Sequence, residues 1–179
     1  MKLVILDRDG VINKDSTSFI KNPNEWIPIP GSLEAIAQLN QHGYRVVVAT
    51  NQSGIARGLF DMATLNAIHD KMYRALAQLG GRIDAMFYCP HSKEDHCDCR
   101  KPKTGMIEEI AKRFSVDLKE VYGVGDAMRD LQAFSTAGCK TILVRTGKGE
   151  ETFSKGDLPA STLVVADLAE AVQHILSDK

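Results

Sequence analysis

The sequence holds no apolar run that approaches the roughly 20 residues a membrane-spanning helix requires. Its first residues pass straight into the strand-like Leu3-Val4-Ile5-Leu6, without the charged, apolar and small-residue blocks that make a signal peptide. A soluble, cytoplasmic chain with no membrane partner is expected. Charge of one sign is missing too: 22 Lys and Arg stand against 23 Asp and Glu, for a formal net charge of -1. Without a global basic field the chain is not expected to hold a nucleic acid, and any affinity for phosphate must be built locally. There is no internal repeat and no low-complexity segment. Cysteine is scarce outside one short stretch, where Cys89, Cys97 and Cys99 crowd together with two histidines. In a reducing compartment that crowding suits a metal better than a disulfide framework. Cys139, alone in AGCKTILV, is expected to be a small buried hydrophobe.

What is present suffices for a core. The 179 residues are 44% hydrophobic and 25% charged, which fits one globular domain over residues 1–179. Short apolar runs alternate with helical periodicity: LVIL at 3–6, a helix over about 32–42, VVVA at 46–49, a helix over about 62–79 and AMFY at 85–88. A helix over about 104–114 follows, then VYGV at 121–124, a helix near 128–137, TILV at 141–144, a weaker strand at 162–165 and a last helix to about residue 176. Near-continuous apolar strands alternating with helices predict a doubly wound, Rossmann-like α/β fold, in which a parallel sheet is covered on both faces. Ligands of such sheets bind beyond the carboxyl ends of the strands. Two long irregular stretches, at about 10–30 and 89–103, are candidates for functional loops.

The chemistry-bearing residues fall at those strand ends. Asp7-Arg8-Asp9-Gly10 follows LVIL, so two carboxylates two residues apart leave the first strand on one side. Alone, that pattern is equally a solvated turn. The second strand runs into Thr50-Asn51-Gln52-Ser53-Gly54, which offers hydroxyls, amides and a glycine that lets backbone N–H groups approach an anion. VYGV ends in Gly125-Asp126, with Asp130 four residues on. Acidic groups converging from several strand ends repel one another unless a cation sits among them, and hard oxygen ligands indicate Mg2+. A phosphate can approach a carboxylate only once charge is offset by that ion and a fixed lysine or arginine, and Arg100-Lys101-Pro102-Lys103 can supply that cation.

Taken in order, these motifs resemble the haloacid dehalogenase-like phosphohydrolases over nearly the whole chain. The resemblance implies a Mg2+-dependent phosphatase with Asp7 as nucleophile and an aspartyl-phosphate intermediate. It implies that Asp9 protonates the leaving alkoxide and then activates water. Mg2+ would be held by the side chains of Asp7 and Asp126 and the backbone carbonyl of Asp9, with Thr50 and Lys101 on the transferring phosphoryl group. Lys101 is preferred to Lys103 because relatives place the Arg-Lys pair directly after the last cysteine of a metal loop. Asp130 is read as orienting Lys101 or Asp126, as a further metal ligand, or as a surface acid.

The loop over about 89–99 reads C-x-H-x5-C-x-C, four donors whose spacing can close a tetrahedral Zn2+ site. With Cys89, Cys97 and Cys99 joined by a histidine there is no open position for water, so the zinc is expected to be structural. The resemblance selects His91 over His96. Because the loop leads straight into Arg100-Lys101, a bound metal would fix the register of two cations that must meet a phosphate. His42, His69 and His174 are expected to be surface or half-buried residues.

DRDGVIN, ATNQSGIARG, the CPH to CDCRKP loop and LVRTGKG resemble the zinc-loop branch of that family, which takes in heptose-bisphosphate and histidinol-phosphate phosphatases. The short chain and the GKG lie nearer the sugar enzymes. That likeness implies a small phosphorylated sugar as substrate, a heptose 1,7-bisphosphate losing its 7-phosphate in nucleotide-activated heptose biosynthesis, with histidinol phosphate as the alternative. About 40 residues separate the first two motifs, so only a minimal cap fits and the site should be open. Specificity is then expected from Asp15, Ser16, Thr17 and Ser18, from Asn51, Gln52 and Ser53, and from Arg100. A non-enzymatic zinc module that binds nucleic acid is disfavoured by the neutral charge. Nothing calls for a partner subunit, and a monomer is the expectation.

Overall fold

Residues 1–178 are described by a computed structural model. Six apolar segments form strands: β1 (Leu3–Leu6), β2 (Arg45–Asn51), β3 (Ala85–Cys89), β4 (Tyr122–Gly125), β5 (Lys140–Val144) and β6 (Leu163–Val165). All neighbours pair in parallel, in the order β3-β2-β1-β4-β5-β6. At the centre, Ile5 of β1 is registered against Val47 of β2 on one side and Gly123 of β4 on the other. Parallel pairing forces a crossover after every strand. The helices α1 (Ser32–Gln41), α2 (Met62–Gln78), α3 (Gly105–Phe114), α4 (Met128–Ala137) and α5 (Gly149–Lys155) lie in those crossovers, and α6 (Leu168–Ser177) closes the chain.

The period-2 alternation of β1 divides the core. Val4 and Leu6 join a cluster with Ile36 and Leu39 of α1, Ile68 of α2 and Val172 of α6. Leu3 and Ile5 join the opposite cluster, with Ile107 and Ile110 of α3 and Phe134 of α4. Each such side chain removed from water stabilises by about 1.5–3 kcal/mol, so the central strands are rigid and the residues just beyond them have fixed positions. Gly123 permits this packing on β4, since a Cβ there would collide with the Phe134 ring. Caps mark the helix ends: Asp61 accepts from Thr64 N at 2.8 Å before α2, Asp167 accepts from Glu170 N at 2.9 Å before α6, and Gly138 ends α4 at φ 98°.

Strand and helix bounds agree with the apolar runs to within a residue or two. α5 was not expected: its seven residues GEETFSK bury only Gly149 and Thr152, too few to leave a period in the sequence. The stretch between β1 and α1 contains a single 3-10 turn at Pro23–Glu25 and is pinned by buried Ile20 and Trp26 instead of forming a cap domain. No helix among the described residues is long and apolar enough to cross a membrane. β1 lies between the outgoing half of the sheet, β2 and β3, and the returning half, β4 to β6, so the crevice opens beyond β1 and β4.

Candidate active site

Asp7 is the first residue past β1, and its amide still donates to Val124 O of β4 at 3.0 Å. The following turn folds over Arg8, whose carbonyl accepts from the amides of Val11, Ile12 and Asn13. Asp9 is thereby brought to the same cleft as Asp7. Its carboxylate accepts from Arg8 Nε at 2.8 Å, Asn13 Nδ2 at 3.0 Å and Gln52 Nε2 at 3.3 Å. Burial opposes its charge, but the Arg8 guanidinium and these hydrogen bonds hold Asp9 below the usual carboxylate range.

Lys101 enters the cleft from the segment between β3 and α3. Its Nζ lies 3.0 Å from Asp7 Oδ1, 2.7 Å from Ala49 O and 2.7 Å from Asp130 Oδ1. Burial alone would lower the lysine pKa, yet Asp130 and Asp7 together raise it, so the ammonium is kept. Asn51, at the end of β2, fixes the main chain at this point: its Oδ1 accepts from Lys101 N at 3.0 Å and its Nδ2 donates to Lys101 O at 3.1 Å. Lys103 does not reach the cleft; its Nζ donates to Cys97 O at 2.6 Å. Asp130 is fully buried, not a surface acid, and its Oδ2 also accepts from Ala127 N at 3.1 Å.

Asp126 follows β4 and completes the acidic floor. Gly10, at φ 85°, lets the turn after β1 press on it, since a Cβ at that position would collide with the Asp126 carboxylate. The loop after β5 closes from the other side: Lys148 N donates to Asp126 Oδ2 at 2.8 Å, Thr152 Oγ1 to Asp126 O at 2.7 Å and Thr146 Oγ1 to Gly10 O at 2.6 Å. Burial and then the charges of Asp7 and Asp130 push Asp126 up to about 9. Burial and Asp130 likewise raise Asp7 to about 7 despite Lys101. Oxygens of Asp7, Asp126 and Asp130 lie within 4.8 Å of one another. With Asp130 committed to Lys101 and a backbone amide, Asp7 and Asp126 are the carboxylates left to face a cation. An all-oxygen donor set with uncompensated negative charge fits Mg2+.

The remaining expected site residues divide. Thr50, Gln52, Ser53, Asp15, Ser16, Thr17 and Arg100 line this cleft with Asp7 and Asp9. Ser18 stands outside it, its carbonyl accepting from Lys21 Nζ at 2.9 Å. The Asn51 amide is spent on the Lys101 backbone, and Gln52 Nε2 is shared between Asp9 Oδ2 and Thr50 Oγ1 at 3.0 Å, so both hold other site residues in place. Arg57, Arg129 and Lys148 also line the cleft and were not singled out. Lys148 lies within the LVRTGKG run and Arg57 within NQSGIARG, whereas nothing in the sequence distinguishes Arg129. His69 corrects an expectation: it is 5% exposed, with Nε2 3.1 Å from Arg8 Nη1. Burial and the Arg8 charge push it down to about 3.

Beyond β3, the donor atoms of Cys89, His91, Cys97 and Cys99 come together within 4.8 Å. Cys89 Sγ lies 3.5 Å from Cys97 Sγ, and His91 Nδ1 lies 3.3 Å from Cys99 Sγ. Cys99 Sγ lies 2.9 Å from Cys89 Sγ, tighter than the roughly 3.7 Å between sulfurs on one zinc ion, and it is the donor set of three thiols and an imidazole nitrogen that suits zinc. None of the cysteines forms a disulfide, and His96 stays outside the group, in a left-handed backbone conformation at φ 51°. Cys139 is buried alone at 8% exposure.

The family described as polynucleotide kinase 3 phosphatase matches residues 2–162. A D-glycero-beta-D-manno-heptose-1,7-bisphosphate 7-phosphatase of Bordetella bronchiseptica is 60% identical over 178 residues, covering 99% of each chain. Its namesake in Pseudomonas putida is 51% identical over 176 residues, covering 98% of this chain and 100% of its own. Among solved structures, the D,D-heptose 1,7-bisphosphate phosphatase of B. bronchiseptica, complexed with magnesium and phosphate, superposes with a TM-score of 0.99 at 59% identity and full coverage of both chains. The D,D-heptose 1,7-bisphosphate phosphatase of Burkholderia thailandensis gives 0.80 at 53% identity, covering 99% of this chain and 100% of its own.

Proposed function

The chain belongs to the family of D-glycero-beta-D-manno-heptose-1,7-bisphosphate 7-phosphatases, and from that premise we propose that it removes the 7-phosphate of this sugar bisphosphate, with Mg2+ as catalytic and Zn2+ as structural cofactor. The observation that carries the reading is the meeting of Asp7, Asp126 and Lys101 at the switch point of the sheet, with Asp9 in the same cleft.

In this reading an oxygen of Asp7 attacks phosphorus in line, forming an aspartyl phosphate as the bond to the sugar oxygen breaks. Mg2+, held by the side chains of Asp7 and Asp126 and the carbonyl of Asp9, supplies the charge that lets a carboxylate and a phosphate meet. Lys101 and Thr50 hold the phosphoryl oxygens. Asp9 gives a proton to the departing alkoxide and, as its conjugate base, takes one from the water that cleaves the aspartyl phosphate. Its resting state in the cleft is the ionised one, and the arrival of an anionic phosphate favours the proton uptake that the first step needs. Arg100, with Arg57, Arg129 and Lys148 on the same walls, suits a substrate that carries a second phosphate.

Zinc on Cys89, His91, Cys97 and Cys99 would tie the strand after which Arg100 and Lys101 enter the site. Three free thiols in that loop suit a reducing cytoplasm. One continuous sheet supports reading the chain as one domain, and we take it to act as a monomer.

The test is kcat/KM for both anomers of heptose 1,7-bisphosphate, histidinol phosphate and fructose bisphosphate with Mg2+ present. The beta anomer should lead the others by about tenfold or more. A preference for histidinol phosphate overturns the substrate, and an Asp7→Asn variant that still turns over overturns the nucleophile.

A further inference from the structure

Arg8 sits between the two carboxylates of the first motif and touches neither the cleft nor solvent. A fully buried guanidinium needs partners for its donors. Two of its five N–H donors, which share one edge of the guanidinium, are met by Asp9, from Nε at 2.8 Å and from Nη2 at 3.3 Å. A third donor is met by Nε2 of His69, 3.1 Å from Arg8 Nη1 and 61 residues away on α2. Because the guanidinium always donates, His69 Nε2 must accept, which fixes a neutral ring protonated on Nδ1. α2 is itself anchored in the core through Leu65, Ile68 and Met72. The chain of contacts therefore runs from a rigid helix through His69 and Arg8 to the carboxylate of Asp9.

We propose that His69 is a positioning residue for the reaction: by accepting a hydrogen bond from Arg8 it aims the guanidinium fork that holds the Asp9 carboxylate in place. The proposal rests on the reading of Asp9 as acid and base. Asp9 has three donors, but Asn13 and Gln52 are neutral amides, and Gln52 is shared with Thr50. Arg8 supplies the one charged, two-point contact, and its aim depends on what holds its far end. A guanidinium released from His69 keeps its charge but loses its orientation, so Asp9 is misplaced while the phosphate contacts of Lys101 and Thr50 are untouched. That separation gives the proposal its signature: kcat changes while KM does not.

The experiment uses three variants with heptose 1,7-bisphosphate and Mg2+, beside Asp9→Asn. His69→Leu fills the space but cannot accept, and kcat should fall about tenfold or more with KM within about twofold of the parent. His69→Gln places an oxygen near the position of Nε2 and should restore most of kcat. His69→Asn places its oxygen near the position of Nδ1 and should not. Thermal midpoints of the three variants identify any loss that is only destabilisation. An unchanged kcat in His69→Leu overturns the proposal, as do equal losses in the Gln and Asn variants or losses that track the midpoints. If Asp9→Asn turns over normally, the acid–base reading of Asp9 fails and the role of His69 fails with it. If Asp9→Asn is inactive while His69→Leu is intact, only the His69 proposal fails.

Discussion

Lys101 Nζ bridges Asp7 Oδ1 at 3.0 Å and Asp130 Oδ1 at 2.7 Å, with the lysine and Asp130 side chains wholly withdrawn from water. One cation is thus shared by a residue of the cleft and a residue of the α4 first turn. Removing one member of a buried ionic group leaves its partners unpaired, which costs about 3–5 kcal/mol.

Lys101→Met should therefore unfold at lower urea, with a loss near that range at neutral pH, and should lose turnover as well. The deficit should shrink in acid. Lys101 is the main charge holding Asp130 below its ordinary value of 3.8, against the cost of burial. A carboxylate with a depressed folded pKa stabilises above its unfolded pKa and stops doing so as pH falls through the folded value. Urea midpoints of parent and variant should consequently stay apart down to about 3.8, the ordinary value, and converge as pH falls below it. A constant gap would mean that the lysine acts through packing of its stem alone.

Asp126 makes the opposite case. Its pKa is raised from 3.8 to about 9, first by burial and then by Asp7 and Asp130. A carboxylate with a raised folded pKa weakens the metal-free fold as pH climbs from about 4 towards 9. Asp126→Asn keeps an oxygen for Lys148 N and removes that cost, so without metal the variant should melt higher than the parent at pH 7. Adding Mg2+ should raise the parent's midpoint and leave the variant's in place. Equal Mg2+ shifts in both proteins would remove Asp126 from the metal site.

Much of this site could be read before the fold was known because its carboxylates sit one or two residues past apolar runs. LVIL-Asp7 and VYGV-Gly125-Asp126 announce both the strand and the group it delivers. Parallel order then brings the two together, since β1 and β4 are neighbours. The supporting contacts were hidden for an equally physical reason. Asn51 grips the backbone of Lys101 from 50 residues away, and Arg8 meets His69 across 61 residues, pairings set by which crossover packs where and not by local pattern. His69 in particular has the look of an ordinary helix polar residue, because α2 carries polar residues on the faces beside its apolar stripe. α5 left no trace for a related reason: its job is to place Thr152 and the Lys148 amide against Asp126, which takes two contacts and no apolar face.

The proposed zinc site can be separated from magnesium binding by experiment. The four donors run from the last residue of β3 to the residue before the Arg100-Lys101 pair, whereas Asp7 and Asp126 follow β1 and β4. Cys99→Ser removes the ligand next to Arg100, leaving three donors for a site that needs four. Bound zinc measured by elemental analysis should fall, and the thermal midpoint with it. The lysine register should loosen, because Asn51 alone then fixes the Lys101 backbone. kcat/KM should drop by about tenfold or more. The Mg2+ concentration that gives half-maximal activity should stay within about threefold of the parent, since the metal-facing carboxylates follow β1 and β4 and none of the four loop donors is among them. A chelator with strong preference for zinc should reproduce the variant's behaviour in the parent. If the Mg2+ requirement instead rises in step with the loss of activity, the loop supports the acidic floor directly, and the division of labour between the two metals is wrong.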